Sequence, residues 1–282
     1  MQPLTDSVDV ANVPKRARRV RSLAPAMATP SLRSRAKRGA PLVYDHVEAP
    51  PGRRDGRAYR AVLQRRMVVV DDLDDAVDLY RGGFFGKGSL SRSAPTRFED
   101  GERLVLLHVE ALYLSSQSGL HCLEILDAES GAVLTDDALW DRFCRVSPQF
   151  PAQYAAYRHL RKLGWVPKSG LKFGVDFVVY MKGPSFYHAR FSVVVVNEAA
   201  LLSNPRGSSW TNLHMLMRTT HNVAKDILFV HVRFECADAC AMPLPAWLES
   251  VQLASRIATR WIPERSRESA PQGNADRLQT LR

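Results

Sequence analysis

Apolar residues recur in two rhythms along the chain from about Ala58 onwards. Runs of β-branched residues predict strands, whereas apolar positions three and four residues apart predict helices. The first helix follows the run RMVVV, where Asp71 is positioned to cap it and Gly82 and Gly83 to end it. Further strands are predicted in RLVLL and LHCLEIL, and further helices in HVEALYLSSQS, TDDALWDRFCRV and AQYAAYRHLRKLG. Thr135 or Asp136 is positioned to cap the second of these helices. The mixture predicts an α/β protein.

Pro148 and Pro151 interrupt this pattern and mark a boundary between two structured units. The N-terminal stretch is rich in Arg, Pro, Ala and Ser, and it holds too few apolar residues to offset the entropy of ordering. We therefore expect a disordered basic arm over residues 1–58, an N-terminal domain over 59–148, a second domain over 149–265 and a polar tail over 266–282.

A hairpin is predicted in DFVVYMKGPSFYHARFSVVVV, because two apolar runs flank a KGPS break. Tyr180 and His188 lie on either side of its loop. If Met181 pairs with Tyr187 across a five-residue loop, Tyr180 lies opposite His188 on one face of the sheet. A four-residue loop would put the two side chains on opposite faces, and the sequence leaves both registers open.

The segment SWTNLHMLMRTTHNVAKDI predicts an amphipathic helix with one apolar face. The opposite stripe, His214, Arg218, His221 and Lys225, is by itself typical of a solvated helix face. Lys225 differs from the others because it is predicted in the last turn, directly before the apolar run ILFVHVRF. A side chain at such a boundary between elements can point into a cleft.

The net charge of +10 belongs to the N-terminal part of the chain. Residues 1–66 hold 15 Lys and Arg against 5 Asp and Glu, and the remaining residues hold 24 of each. Clusters of this kind suit nuclear import or sequence-independent contact with phosphates. A merely solubilising tail is the alternative.

The sequence predicts a soluble intracellular protein without a bound metal. No apolar run approaches the roughly 18 residues of a membrane span, and the first ten residues lack the pattern of a secretory signal. Four scattered cysteines suit a reducing compartment. Cys236 and Cys240 lack a second pair of ligands at the spacing of a structural zinc site.

Several long motifs together resemble the tRNA-intron endonucleases, and within that family the eukaryotic catalytic subunit that cuts the 5′ splice site. The resemblance is spread over about residues 80–263 and implies two α/β domains: a small mixed N-terminal domain and a restriction-endonuclease-like mixed-sheet catalytic domain. Its motifs are YRHLRKLGWVPKSGLKFGVDFVVYMKGPSFYHARFSVVVV, RTTHNVAKD, GGFFGKGSLSRSAP, EALYL and RWIP.

The resemblance implies a catalytic triad of Tyr180, His188 and Lys225, with no metal and no cofactor. It also implies that Arg218, Arg260 and Trp261 grip bases near the cut, because guanidinium and indole groups stack on unpaired bases. The implied partners are precursor tRNA, a sister catalytic subunit and two structural subunits. The strand in LFVHVRFECA, read as an edge strand, and the segment up to Pro263 are the expected pairing surfaces. The implied location is the nucleus, with the cytoplasm or an organelle surface as alternatives.

The implied reaction is an attack of a 2′-hydroxyl on the adjacent phosphate, leaving a 2′,3′-cyclic phosphate and a 5′-hydroxyl. The family assigns Tyr180 as base, His188 as acid and Lys225 as electrostatic stabiliser. Because tyrosine ordinarily titrates near ~10 and histidine near ~6.5, the first two roles can exchange. The alternatives are the subunit that cuts the 3′ splice site and a non-catalytic RNA-binding or assembly subunit. A metal-dependent DNA nuclease is disfavoured, since its carboxylate cluster is missing from the sequence.

Overall fold

The computed structural model describes residues 56–90, 101–198, 209–223, 225–234 and 242–258, without the side chains of His221 and Pro245. Within these ranges the chain forms two five-stranded sheets of mixed strand direction, each covered by helices. This confirms the α/β prediction. The predicted basic arm, the polar tail, Arg260 and Trp261 lie outside the described residues, and the predicted domain boundaries stay predictions.

The N-terminal sheet has the strand order β3-β4-β2-β1-β5. Its pairs are antiparallel except for β1 and β5, which run parallel. The strands are β1 (Tyr59–Gln64), β2 (Met67–Val70), β3 (Lys87–Gly88), β4 (Leu104–Leu106) and β5 (Leu123–Asp127). The helices of this half are α1 (Leu73–Gly83), α2 (His108–Ser115) and α3 (Asp136–Val146).

The C-terminal sheet has the order β10-β9-β8-β7-β6, with only the β8–β9 pair parallel. Its strands are β6 (Val166–Ser169), β7 (Phe177–Tyr180), β8 (Phe191–Asn197), β9 (Asp226–Arg233) and β10 (Gln252–Ala258). Its helices are α4 (Phe150–Lys162), α5 (Trp210–Asn222) and α6 (Leu244–Ser250), and a 3₁₀ turn covers Leu171–Phe173.

Helix ends show how local chemistry sets the element boundaries. The Thr135 side chain accepts a hydrogen bond from the Ala138 amide and caps α3, so that Thr135 is the cap of the two residues that the sequence offered. At α1 the prediction was one residue off, because Asp72 rather than Asp71 accepts from the amide of Asp75. The left-handed residue that ends α1 is Phe84, at φ 56°, and not a glycine.

β9, the strand predicted to lie at a sheet edge, lies inside the sheet between β8 and β10. β10 pairs with β9 along its length, from Gln252 opposite Arg233 to Ala258 opposite Ile227. Among the described strands of this sheet, β6 and β10 are the outer ones. The expected pairing surface therefore moves from β9 to β10, which belongs to the second segment named by the sequence.

The two halves share one hydrophobic core. Tyr157 on α4 meets Tyr113 on α2 edge to face, with the ring centroids 5.7 Å apart. Trp140 on α3 lies 4.9 Å from Trp247 on α6, again measured between ring centroids. Because these rings are buried, the position of one sheet is fixed relative to the other.

Candidate active site

Three neighbouring strands bring the predicted triad to one end of the C-terminal sheet. Tyr180 is the last residue of β7, which runs antiparallel to β8. β8 and β9 are parallel and begin together, with Phe191 opposite Asp226. His188 lies three residues before β8, and Lys225 directly precedes β9. The end of β7 and the starts of β8 and β9 therefore meet, and the three candidate residues lie where they meet.

The hairpin register differs from both registers considered from the sequence. Val179 pairs with Phe191, so the ladder places Arg190, and not His188, across from Tyr180. The loop is longer than expected because it contains a turn of its own. The amides of Phe186 and Tyr187 both donate to the carbonyl of Gly183, at 3.3 and 3.2 Å.

The sheet face that carries Tyr180 is the one covered by α5. Val178, two residues before Tyr180, packs in a small apolar cluster with Val194 and Ile227. Leu216 and Met217 of α5 close this cluster, and Tyr180 packs against it. Because side chains alternate along a strand, Lys225, two residues before Ile227, belongs to the same face. Tyr180 and Lys225 thus lie on one side of the sheet.

The sequence predicted Lys225 in the last turn of the helix, and this was wrong, because α5 ends at Asn222. Its amide donates to the carbonyl of Thr220 at 3.0 Å, which holds the connection to β9. Its ammonium group lies 5.1 Å from the ring centroid of Phe173, in cation–π range. Burial lowers the pKa of Lys225. The charge is therefore held on an aromatic surface at the start of a strand.

Tyr180 and His188 differ in their surroundings. Tyr180 is half-buried, and burial raises the pKa of its phenol, so the hydroxyl keeps its proton at neutral pH. His188 is exposed in the loop, where a substrate can reach it. Between these positions, Arg190 Nη2 lies 3.4 Å from Asp226 Oδ2 and ties the start of β8 to the start of β9.

The predicted RNA-gripping residues are only partly placed. Arg218 is exposed on α5, the helix that covers the sheet face of Tyr180 and Lys225. Arg260 and Trp261 lie beyond the described residues. The role of all three stays a prediction.

Sequence reasoning missed the residues that support the hairpin. Asp176 accepts hydrogen bonds from Gln153 Nε2 at 3.0 Å and from the Val195 amide at 2.9 Å, and so links α4 to β8. Phe173, which underlies Lys225, also went unnoticed. The only signal for either residue was its place inside the long KSGLKFGVDF motif.

The N-terminal half touches the loop between β7 and β8 directly. Phe84 packs edge to face on Phe186, with ring centroids 6.0 Å apart. Gly183 has φ 114°, and a Cβ atom there would collide with the Phe84 ring. Phe84 lies in the GGFFGKG motif, whose glycines were noted in the sequence without this contact. The contact joins residues about a hundred positions apart, which periodicity does not reveal.

A buried ion pair fixes the loop that carries Phe84. Lys168 Nζ donates to the carbonyl of Phe84 at 2.7 Å and to that of Gly86, and it lies 3.4 Å from Glu110 Oε1. Glu110 Oε2 accepts from the amides of Gly86 and Leu107 at 3.1 and 2.9 Å. Burial lowers the pKa of Lys168, and the Glu110 carboxylate opposes that shift.

No three His, Cys, Asp or Glu side chains in the described ranges are grouped so that they could hold a metal ion. No helix in the described part of the chain is both long and apolar enough to cross a membrane.

Comparison with known proteins identifies the family. Residues 59–140 match the tRNA intron endonuclease N-terminal domain, and residues 150–237 match the tRNA intron endonuclease catalytic C-terminal domain. The chain is 38% identical over 170 residues to tRNA-splicing endonuclease subunit Sen2 of Gallus gallus, covering 59% of this chain and 36% of that protein. It is 34% identical to a probable Sen2 subunit of Oryza sativa subsp. japonica, covering 60% and 57%.

An archaeal relative covers more of its own length. The tRNA-splicing endonuclease of Sulfolobus acidocaldarius is 32% identical over 137 residues, which is 48% of this chain and 72% of that protein. The chain belongs to the tRNA intron endonuclease family, which confirms the resemblance found in the sequence. The match spans about a third of the Gallus gallus protein and somewhat over half of the Oryza sativa protein.

Proposed function

We propose that this chain is a catalytic subunit of a tRNA-splicing endonuclease that cuts precursor tRNA at the 5′ splice site. The observation that carries the proposal is the meeting of Tyr180, His188 and Lys225 at one end of β7, β8 and β9. All three residues expected from the family motif are present. The antiparallel β7–β8 pair and the parallel β8–β9 pair bring them to the same end of the sheet.

The proposed reaction needs no metal ion, because these three groups can serve its three needs. The 2′-oxygen forms a bond to phosphorus while the bond from phosphorus to the 5′-oxygen breaks. One side chain takes the proton of the 2′-hydroxyl, and another gives a proton to the departing 5′-oxygen. Lys225 stabilises the negative charge that grows on the phosphate. The products are a 2′,3′-cyclic phosphate and a 5′-hydroxyl.

The surroundings of Tyr180 favour the exchanged assignment of roles. Because burial raises its pKa, the phenol is protonated at neutral pH and suited to act as the acid. His188, exposed in the loop that follows β7, then acts as the base. This reverses the assignment implied by the resemblance, and a substrate whose departing 5′-oxygen is replaced by sulfur separates the two, because a thiolate leaves without a proton.

Three further parts of the proposal concern RNA contacts, partner subunits and location. Arg218, Arg260 and Trp261 would grip unpaired bases near the cut. The partners would be a sister catalytic subunit and two structural subunits, with β10 available as a pairing edge. The basic residues of 1–58 suit import into the nucleus. A fluorescent fusion lacking residues 1–58 tests that location.

The experiment uses the complex assembled with its partner subunits, an intron-containing precursor tRNA and excess EDTA. His188→Ala and Lys225→Ala should lose cutting at the 5′ site by about 10² to 10⁴ in single-turnover rate, while the 3′ site is still cut. His214→Ala, an exposed histidine on α5, is the matched control and should cut normally. The wild-type intron should carry a 5′-hydroxyl, and the 5′ exon a cyclic phosphate.

Two results would redirect the proposal. Normal 5′ cleavage by both variants would make this chain an architectural subunit. Loss of 3′ rather than 5′ cleavage would make it the subunit for the 3′ splice site.

A further inference from the structure

A hollow of about 200 Å³ lies on the N-terminal half, away from the strand ends that carry the triad. The two-residue turn between β1 and β2 forms one wall, and the last turns of α3 form another. We call it the arginine hollow, and its polar lining consists of Arg65, Arg66, His108, Arg142 and Arg145. It is smaller than the roughly 300 Å³ at which sites for drug-sized ligands begin.

The floor of the arginine hollow is rigid. The His108 ring stacks on Phe143, with centroids 4.5 Å apart and the planes 17° from parallel. His108 Nε2–H donates to the carbonyl of Arg66 at 2.8 Å, which fixes the turn. Burial lowers the pKa of His108, so the ring is neutral at neutral pH. It therefore acts as a support for the turn and adds no charge.

The charge of the arginine hollow is only partly neutralised. Arg142 pairs with Asp127 and Arg145 with Asp141, each with an N–O distance of 2.6 Å. Arg65 and Arg66 are exposed, and neither side chain forms an ion pair with a described residue. The guanidinium groups of Arg65 and Arg66 are thus available to a ligand, whereas those of Arg142 and Arg145 are held in ion pairs.

The turn holds these arginines at a conformational cost. β1 and β2 are joined through Gln64 and Met67, so Arg65 and Arg66 form a two-residue hairpin loop. Arg65 has φ 53°, in the left-handed region that glycine and asparagine favour in such loops. The turn type requires this positive φ, and a glycine there would adopt it at lower cost than an arginine.

We infer that the arginine hollow binds a backbone phosphate of the precursor tRNA, outside the cleavage site. Guanidinium groups match phosphate oxygens in a two-pronged geometry, and the hollow has room for one phosphodiester. The contact is independent of sequence, and it would anchor the substrate on the N-terminal half while the triad cuts elsewhere. The inference rests on the proposed function, since it takes precursor tRNA as the substrate.

The test measures binding of precursor tRNA to the assembled complex across a series of KCl concentrations. Arg65→Gly and Arg66→Gln each remove one charge from the hollow. Arg81→Gln is the matched control, because Arg81 is an exposed arginine of the same half that does not line the hollow. Each hollow variant should weaken binding at low salt and reduce the slope of log K against log salt by about one.

Two further readouts separate binding from folding and from catalysis. Arg65→Gly relieves the positive φ, so its melting temperature should equal or exceed that of the wild type while its affinity falls. The single-turnover cleavage rate at saturating complex should be unchanged in both hollow variants. KM should rise and kcat should stay constant.

Three results would overturn the inference. The hollow variants could bind with the wild-type salt slope. Arg81→Gln could also change binding as much as they do, which would indicate general electrostatic attraction to RNA and not a defined phosphate site. Alternatively, the hollow variants could lose partner subunits on size-exclusion chromatography, which would indicate that the arginine hollow contacts a partner subunit. The proposed function is judged separately, by whether the wild-type complex cuts precursor tRNA at all.

Discussion

Replacing Lys168 by Met is expected to destabilise the protein strongly, because it breaks the buried ion pair between the two halves. The Lys168 side chain is 17% exposed, and that of Glu110 is fully buried. Met retains the length and the apolar stem of Lys, so the substitution removes the ammonium group and little else. Glu110 would keep its two backbone donors but lose its cationic partner.

The magnitude follows from the burial of Glu110. Removing one partner of a buried ion pair typically costs about 3 to 5 kcal/mol, since the remaining charge is left in a poorly solvated site. The carbonyls of Phe84 and Gly86 lose a donor as well, but water can reach the partly exposed position of Lys168. For a protein of this size, such a loss lowers Tm by about 6 to 20 °C.

Scanning calorimetry measures this shift, and Arg60→Met is the matched control. Arg60 forms an exposed ion pair with Glu124 at 3.5 Å, and exposed pairs contribute about 0 to 1 kcal/mol. The double variant Glu110→Gln/Lys168→Met removes both charges and should recover part of the loss. A Tm for Lys168→Met equal to that of Arg60→Met would refute the reasoning.

Three further predictions concern the site and its supports. With Tyr180 as the acid, Tyr180→Phe should regain most of its lost rate on a precursor tRNA whose departing 5′-oxygen is replaced by sulfur, because a thiolate leaves without a proton, whereas His188→Ala should stay slow. The opposite pattern would make Tyr180 the base, and with either assignment the rate should fall as pH passes the lowered pKa of Lys225. Gly183→Ala should slow 5′ cleavage, whereas Gly131→Ala, also at positive φ but with open space around it, should change only the stability measured by thermal unfolding. Asp72→Ala should cost about 1 kcal/mol in denaturant unfolding, because α1 loses its cap.

Local sequence patterns were sufficient to predict a helix or strand where the residues of that element alone determine its structure. α3 begins at the predicted Thr135 cap because a threonine side chain and three following residues suffice to build it. The same kind of signal was present but unused in β1, where Tyr59, Ala61 and Leu63 alternate as buried residues with exposed or partly exposed neighbours. β1 was therefore predictable in principle from its period of two.

Strand neighbours were not predictable in the same way. β9 is apolar enough to suggest an exposed edge that needs a partner, yet that partner is β10 of the same chain. The sequence of β10 gives only a weak strand signal, because exposed and partly exposed residues alternate along QLASRIA and none is fully buried. An edge strand with one face toward solvent carries a small apolar signal, so sequence reasoning overlooked it.

The sequence was enough to name the candidate triad, but it was not enough to derive the register of the hairpin that carries two of its residues. The family motif named Tyr180, His188 and Lys225, and the antiparallel and parallel pairings of β7, β8 and β9 bring them to one sheet end. The hairpin register could not be derived, because it depends on the turn at Gly183. That turn is shaped in part by Phe84, from the other half of the protein.

The N-terminal half therefore shapes the candidate active site. Phe84 fills the space that a side chain at Gly183 would need and packs against Phe186, two residues before His188. Burial raises the pKa of Tyr80 to about 12, and a hydrogen bond with the Ser185 side chain opposes the rise, so α1 also reaches this loop. An exposed histidine on a ten-residue loop would otherwise sample many positions, and a proton transfer requires one. In the proposed function, the C-terminal half supplies the reacting groups, and the N-terminal half restricts the loop that presents one of them.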